Sequence, residues 1–216
     1  MIKDLVRKCR SYRRFEEGHK VTLNTLKKFI ELARCLPSAR NQQALKFILS
    51  NKADNNERIF PALRWAGALK GWGGPKKGEK PAAYVVVLGD TKISRDFYCD
   101  HGIAAYGILL GAAEKGLGGC MIGAIDRTLL RKNLKIPVRY EILLVVAIGK
   151  PAEKVVIEDA EDGEITYYRD KKSGHHVPKR PLEELIEPSA FSCQLSAKKD
   201  AKCGMQNARR TMVNRR

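Results

Sequence analysis

Ala82-Ala83-Tyr84-Val85-Val86-Val87-Leu88 and a second run, Ile142-Leu143-Leu144-Val145-Val146-Ala147-Ile148, decide how this chain is built. Both are short, almost continuously apolar and rich in valine and isoleucine. With no polar residue at every second position, each predicts a central strand buried on both faces. Between them, Ile103, Ala104, Ile108, Leu109, Gly111, Ala112 and Ala113 make a segment too apolar for an ordinary surface helix and suited to a core or a subunit interface.

Outward from these runs the pattern is helical and strand-like by turns. Leu23, Leu26, Phe29, Ile30 and Ala33 fall at helical spacing after Thr22 or Asn24 as N-cap, and Pro37 ends that helix. Ile2, Leu5 and Val6 mark one face of a shorter helix at the N-terminus. Leu45 to Leu49 predicts a strand, and Thr128 to Leu134 a basic helix stopped before Pro137. Lys70 to Pro81 holds four glycines, two prolines and four lysines, the composition of a loop or lid. Gly116 to Cys120 ends the apolar helix and leads into a turn at Met121-Ile122-Gly123. Thr166 to Arg169 suits an edge strand, and Leu182 to Ile186 a short helix.

Composition narrows the class. A chain of 216 residues with 44% apolar content can close one domain around a sizeable core. No apolar run reaches the roughly 18 residues that span a bilayer, and the first thirty residues do not read as a secretory leader, so a cytoplasmic protein is expected. Six cysteines form no metal spacing and are too sparse for a disulfide scaffold. The net charge of +17 raises a nucleic-acid reading, since a basic surface releases counterions on neutralising phosphates. Residues 189–216 supply +6 of it, and few aromatics sit among those cations to stack bases. That segment loses apolar periodicity and predicts a flexible basic extension beyond a folded domain of residues 1–188.

Two clusters flank the Leu23 helix. Arg10-Ser11-Tyr12-Arg13-Arg14-Phe15 offers paired cations and a hydroxyl, as a phosphate needs; read alone it is equally a solvated basic turn. Pro37-Ser38-Ala39-Arg40-Asn41-Gln42-Gln43 offers small residues and amides, as a flat polar ring needs, or simply ends a helix. Together they point to a phosphorylated planar cofactor.

These clusters, with Asp100-His101-Gly102-Ile103-Ala104-Ala105, Gly116-Leu117-Gly118-Gly119-Cys120 and Val177-Pro178-Lys179-Arg180-Pro181, occur in an order that resembles the FMN-dependent nitroreductase family over about residues 2 to 187. The resemblance implies an α+β fold with a mixed, largely antiparallel central sheet flanked by helices, built as an intertwined homodimer with FMN at the subunit interface. It implies an NAD(P)H oxidoreductase working by a ping-pong mechanism on nitroaromatic, quinone or similar small-molecule electron acceptors. The resemblance also allows an alternative for this chain, a flavoenzyme of the same fold that keeps the flavin site but catalyses another reaction, such as reductive dehalogenation or ring dehydrogenation. NADH and NADPH are not distinguished.

Carried over residue by residue, the resemblance assigns Arg10, Ser11, Tyr12 and Arg13 to the FMN phosphate or the pyrimidine edge of its ring, completed by Lys179 and Arg180. Pro37, Ser38, Ala39, Asn41 and Gln43 would line the isoalloxazine. Gly118 and Gly119 would offer backbone N–H groups near N5 and O4, although a plain helix cap explains glycines there as well. Arg40, where many relatives carry glycine, and Trp72 would face the substrate. Cys9 stands where relatives often carry a further cation, with Lys8 or Arg14 as the candidates to compensate. No acid or base is demanded, because flavin N5 carries the chemistry. Cys120 reads as a packed small residue, and His175 and His176 as loop surface without companions at metal spacing.

Overall fold

The computed structural model describes residues 1–187. The basic extension at 189–216 lies outside the described residues. The described residues form two compact units, one of residues 1–157 with 166–177 and a second of residues 158–165 with 178–187.

The first unit is built on a four-stranded sheet in the order β1-β2-β4-β3, with β1 at Leu45–Ser50, β2 at Ala83–Asp90, β3 at Gly118–Ile122 and β4 at Tyr140–Gly149. All its pairings are antiparallel, and β2 and β4 lie side by side at its centre. Every residue of β2 is buried. The absence of alternation in its sequence has a simple origin. Ala83, Val85 and Val87 enter one core with α2 (Leu23–Cys35) and α4 (Asp100–Glu114), while Tyr84, Val86 and Leu88 enter another with α3 (Ala53–Ile59) and α5 (Arg127–Leu134). Helices on both sides remove both strand faces from water.

The termini of these helices follow from their sequences. Thr22 caps α2, its hydroxyl accepting from the Thr25 N–H at 3.1 Å, and Asp126 caps α5 through the Leu129 N–H at 2.8 Å. Glycines at 107 and 111 let α4 lie against α2. A Cβ at Gly107 would stand 2.3 Å from Leu36 Cδ1, and one at Gly111 2.5 Å from Leu32 Cδ1. Helix α4 ends in a Schellman motif with Gly116 at φ 69°, the Leu117 N–H reaching Ala112 O at 2.9 Å and the Gly116 N–H reaching Ala113 O at 3.1 Å.

Two expectations change here. Gly118 and Gly119 are not a helix cap; Gly116 takes that role, and the following glycines open β3, which also absorbs Met121 and Ile122. Gly119 is required by contact, since a Cβ there would lie 2.2 Å from the Ala147 carbonyl oxygen of β4. The second change is α3, whose Ala-Asp-Asn-Asn-Glu-Arg-Ile sequence carries too little apolar periodicity to announce a helix.

The remaining helices are α1 (Ile2–Lys8) and α6 (Leu182–Leu185), and a three-stranded sheet runs β5-β7-β6, with β5 at Val155–Asp159, β6 at Tyr168–Arg169 and β7 at His175–Lys179. No helix among the described residues is long and apolar enough to cross a membrane.

Replacing Gly119 by alanine sets a methyl group against backbone that cannot move aside. Gly119→Ala is expected to cost about 3 kcal/mol of stability. Urea unfolding of the variant against wild type measures this, and an unchanged midpoint would contradict the packing described.

Candidate functional site

Residues 10–16 run as an irregular strand between three neighbours. Ser11 pairs with Gly119 in a parallel bridge, and the Tyr12 N–H donates to Gly119 O at 2.9 Å. On the other side Ala152 N–H donates to Arg14 O at 2.9 Å and Glu16 N–H to Lys150 O at 2.8 Å. The Phe15 N–H reaches the glycine-rich loop at Glu79 O, 3.0 Å away. The Tyr12 ring lies over Gly118, where a Cβ would come within 2.4 Å of it.

This stitching fixes what each cation faces. Arg14 donates through Nε to Glu79 Oε1 at 2.9 Å, with Nη2 on the same oxygen, so it anchors the loop. Arg13 donates through Nη1 to His175 Nε2 at 2.9 Å and lies 4.9 Å from the centre of the Tyr167 ring. The Arg10 Nε donates to the Cys9 carbonyl at 2.9 Å. Cys9 is packed in the core beneath α4, and burial pushes its thiol up, so a cation at that position would lie in apolar surroundings.

His175 corrects the sequence reading. Far from loop surface, it is 1% exposed in β7, its ring edge-on to Tyr167 at 5.3 Å between centroids. Burial, and then the adjacent Arg13 charge, hold its pKa below the ordinary histidine value. A neutral ring fits the geometry, because Nε2 must accept from Arg13.

Arg13, Tyr167, Trp65, Arg64 and residues 120–124 line a cavity of about 160 Å³ beside β3. Trp65 is 8% exposed, and its indole Nε1 has no hydrogen-bond partner among the described residues. Cys120 is buried in the wall, where burial pushes its thiol up; it packs. Trp72 takes a different part: its ring lies under the Arg169 guanidinium at 4.2 Å. With Ala68 N–H on the Tyr167 hydroxyl at 3.3 Å, and Gly78 and Lys80 on Glu17, the glycine-rich loop is tied down along its length.

The second cluster lies elsewhere. Pro37, Ser38 and Gln43 line a groove of about 400 Å³ between α2 and β1, to which no residue of 10–15 contributes, and none of 37–43 lines the cavity holding Arg13. Its backbone is unusual: Arg40, Asn41 and Gln43 all adopt left-handed conformations, at φ 54°, 53° and 51°. Two side chains impose this. Buried Asp100 accepts from the Ala39 N–H at 2.9 Å, and the Ser38 hydroxyl accepts from the Gln43 N–H at 3.0 Å. Gln43 Nε2 donates to Asn41 Oδ1 at 3.1 Å, and the Arg40 guanidinium lies 5.9 Å from the Tyr98 ring centre. Lys179 and Arg180 belong to the second unit, where Lys179 O accepts from the Ala160 N–H at 2.8 Å and Arg180 pairs with Glu184 at 3.0 Å.

Sequence reasoning did not single out Glu153, Tyr167 or Asp100's role in the loop. Each acts across a long stretch of chain, 140 residues in the case of Glu153 and Arg13, with no local pattern to mark it.

An antiparallel sheet with helices on both faces, a cavity lined by Arg13 and Arg64 at one edge and a separate groove bordered by the 37–43 loop make this an α+β protein. The nitroreductase family model matches residues 6–150, and the chain belongs to that family. Over an alignment of 187 residues it is 24% identical to a Bacillus subtilis (strain 168) protein named as an NAD(P)H nitroreductase, MhqN, covering 68% of this chain and 86% of that one. Among solved structures, an FMN-dependent nitroreductase from Clostridium difficile R20291 superposes with a TM-score of 0.60 at 22% identity, covering 88% of this chain and all of that one. CLA-ER, an enone reductase of gut-bacterial fatty acid saturation, superposes with a TM-score of 0.62 at 18% identity over 74% of this chain and 93% of its own. The likeness to these two structures is one of fold.

Two expectations follow from this geometry. Arg40 occupies a conformation that costs a side-chain-bearing residue about 1–2 kcal/mol, so Arg40→Gly is expected to raise stability by up to about 1 kcal/mol after the entropy of glycine in the unfolded chain is counted; denaturant midpoints of the two proteins decide it. His175 contributes in the opposite pH direction from an ion-paired histidine. Its folded pKa is depressed, so the folded state binds fewer protons than the unfolded one just below the ordinary value of about 6.5. The stability it contributes is present above that value and is lost as pH falls through the depressed one. Thermal melts from pH 7.5 to 5 are expected to decline more steeply for wild type than for His175→Gln.

Proposed function

We propose that the protein is an FMN-dependent oxidoreductase that takes reducing equivalents from NADH or NADPH and passes them to nitroaromatic, quinone or similar acceptors, the two substrates occupying one site in turn. The observation that carries this reading is the cavity beside β3. Its lining includes the cations Arg13 and Arg64, and the acceptor-rich pyrimidine edge of a flavin is complementary to such a wall. The residues present therefore fit the cofactor.

In this reading Arg10 and Ser11 hold the phosphate, while Arg13 faces the ring edge, where a fixed cation favours negative charge. Tyr12, Gly118 and Gly119 form the floor from which the 10–15 segment is aimed. FMN held there would supply the hydride-transfer chemistry, at its N5. The protein supplies orientation, exclusion of water by Trp65 and Tyr167, and a pinned loop that keeps the mouth in shape. Arg14 is engaged by Glu79, which leaves the cofactor anion to Arg10 and Arg13.

The separation of the two clusters favours a homodimer. Ser38, Ala39, Asn41 and Gln43 line the isoalloxazine only if a second copy brings its groove to the first copy's cavity. Partly exposed apolar side chains on α2 and α4 at Leu32, Ile103 and Tyr106 give such a copy a surface to bury. The enone reductase among the structural neighbours adds activated alkenes to the acceptors worth testing. A cytoplasmic location accords with the four unpaired cysteines, Cys9, Cys35, Cys99 and Cys120, among the described residues.

Purified protein is expected to be yellow, or to become so with added FMN, and to bleach under anaerobic NADH or NADPH. Protein that neither binds FMN nor oxidises nicotinamide would refute the reading. Mixing Arg13→Ala subunits with Ser38→Ala/Asn41→Ala subunits tests the shared site: half the dimers carry one intact site, so flavin binding should recover to about a quarter of wild type in a random mixture.

A further inference from the structure

Glu153 is the most deeply buried carboxylate at the site, its side chain 1% exposed, and it follows β4 with no catalytic neighbour. Both oxygens are used. Oε1 accepts from two consecutive backbone N–H groups, Arg13 at 2.5 Å and Arg14 at 3.0 Å. Oε2 accepts from Arg169 Nη2 at 2.9 Å, and the same guanidinium is stacked on Trp72 at 4.2 Å. A carboxylate taken this far out of water is sustained only where charge-assisted bonds replace its hydration.

These bonds converge on one residue. Arg13 is held from behind, at its backbone, by Glu153. It is held at its guanidinium by His175 Nε2 and the Tyr167 ring, which both belong to the chain segment that carries Arg169. Lysine and arginine side chains on a surface sample many rotamers, and ordering one on binding costs roughly 0.5–1.5 kcal/mol. Here the guanidinium already has two partners, the His175 ring nitrogen and the face of the Tyr167 ring.

We propose that Glu153 is a positioning residue of the cofactor site: it fixes the Arg13–Arg14 turn so that the Arg13 guanidinium is presented to the bound cofactor. The assignment rests on the reading of the cavity as the FMN site. It makes the segment 166–177 part of the binding apparatus, because Arg169 neutralises Glu153 while Tyr167 and His175 set the direction of Arg13. The carboxylate itself touches no reacting atom.

The test is an FMN titration of the full-length apoprotein, followed by quenching of flavin fluorescence. Glu153→Ala removes the acceptor of both N–H groups and is expected to weaken FMN binding at least about tenfold, whereas Glu153→Gln, which keeps an oxygen for them, recovers most of the loss. If Glu153 acts through Arg13, its effect shrinks to less than about twofold in an Arg13→Gln background. Losses that multiply in the double variant, a Glu153→Ala protein within twofold of wild type, or a glutamine variant no better than alanine would each overturn the assignment. Should Glu153→Ala not fold, Arg169→Gln, which leaves both backbone bonds in place, is expected to weaken FMN about threefold in wild type and negligibly beside Arg13→Gln; an unchanged affinity in wild type overturns the assignment. Wild-type apoprotein that does not bind FMN would instead refute the proposed function.

Discussion

Neither β2 nor β4 has a polar face, and their antiparallel pairing at the centre of the sheet leaves no strand edge between them for water to reach. Everything around them follows from that condition. Successive residues of β2 point alternately into two separate cores, so helices must lie on both sides, and the outer strands β1 and β3 become the places where polar chemistry is possible. The two clusters sit accordingly. Ser11 and Tyr12 bond to β3 at Gly119, and Gln43 leads into β1 at the opposite edge. A single four-stranded sheet thus holds the cation cluster and the amide cluster at opposite edges, and the site proposed from both draws on two copies.

The strong elements were legible because burial writes them directly into residue type. A strand covered on both faces is apolar throughout, a helix between two layers is apolar throughout, and Thr22 marks its helix by the oxygen it supplies to a free N–H. What escaped was set by contact across the fold. Gly119 was open to several meanings until the Ala147 carbonyl stood 2.2 Å from where its Cβ would be. His175 looked like a polar loop residue, yet Arg13 and Tyr167 enclose it. Glu153 was one acid in a strongly basic chain, and its partners lie 140 and 16 residues away. Residues whose identity answers a local need could be read; those whose identity answers a distant one could not.

The same distinction sorts the cations. Composition alone treats Arg13, Arg14 and Arg169 as equal contributors to a basic surface, and that equality is what lends weight to a nucleic-acid partner. Their surroundings differ. Arg14 places its charge on Glu79, Arg169 on Glu153, and Arg13 faces a neutral histidine that accepts a hydrogen bond without cancelling the charge. Only the last arrangement leaves a positive centre both oriented and uncompensated beside a cavity. An anion or an electron-rich ring edge gains most there, because the protein has already ordered the donor and excluded the competing carboxylate.

Order of this kind has a cost, and the second cluster shows how the chain meets it. Three left-handed residues within four positions would relax in an isolated peptide. Asp100 and Ser38 hold them by accepting from Ala39 and Gln43, and Asp100 is itself fixed by the first turn of α4, which is locked onto α2 through Gly107 and Gly111. The strain is therefore referred to the closely packed α2–α4 pair. Glu153, four residues beyond the end of β4, performs the matching service for the first cluster by accepting from the Arg13 and Arg14 N–H groups. Both clusters are loops by conformation, but each is tied by a buried carboxylate to the rest of the fold, and in the proposed site those bonds hold donors and amides in the fixed geometry that a rigid planar ligand requires.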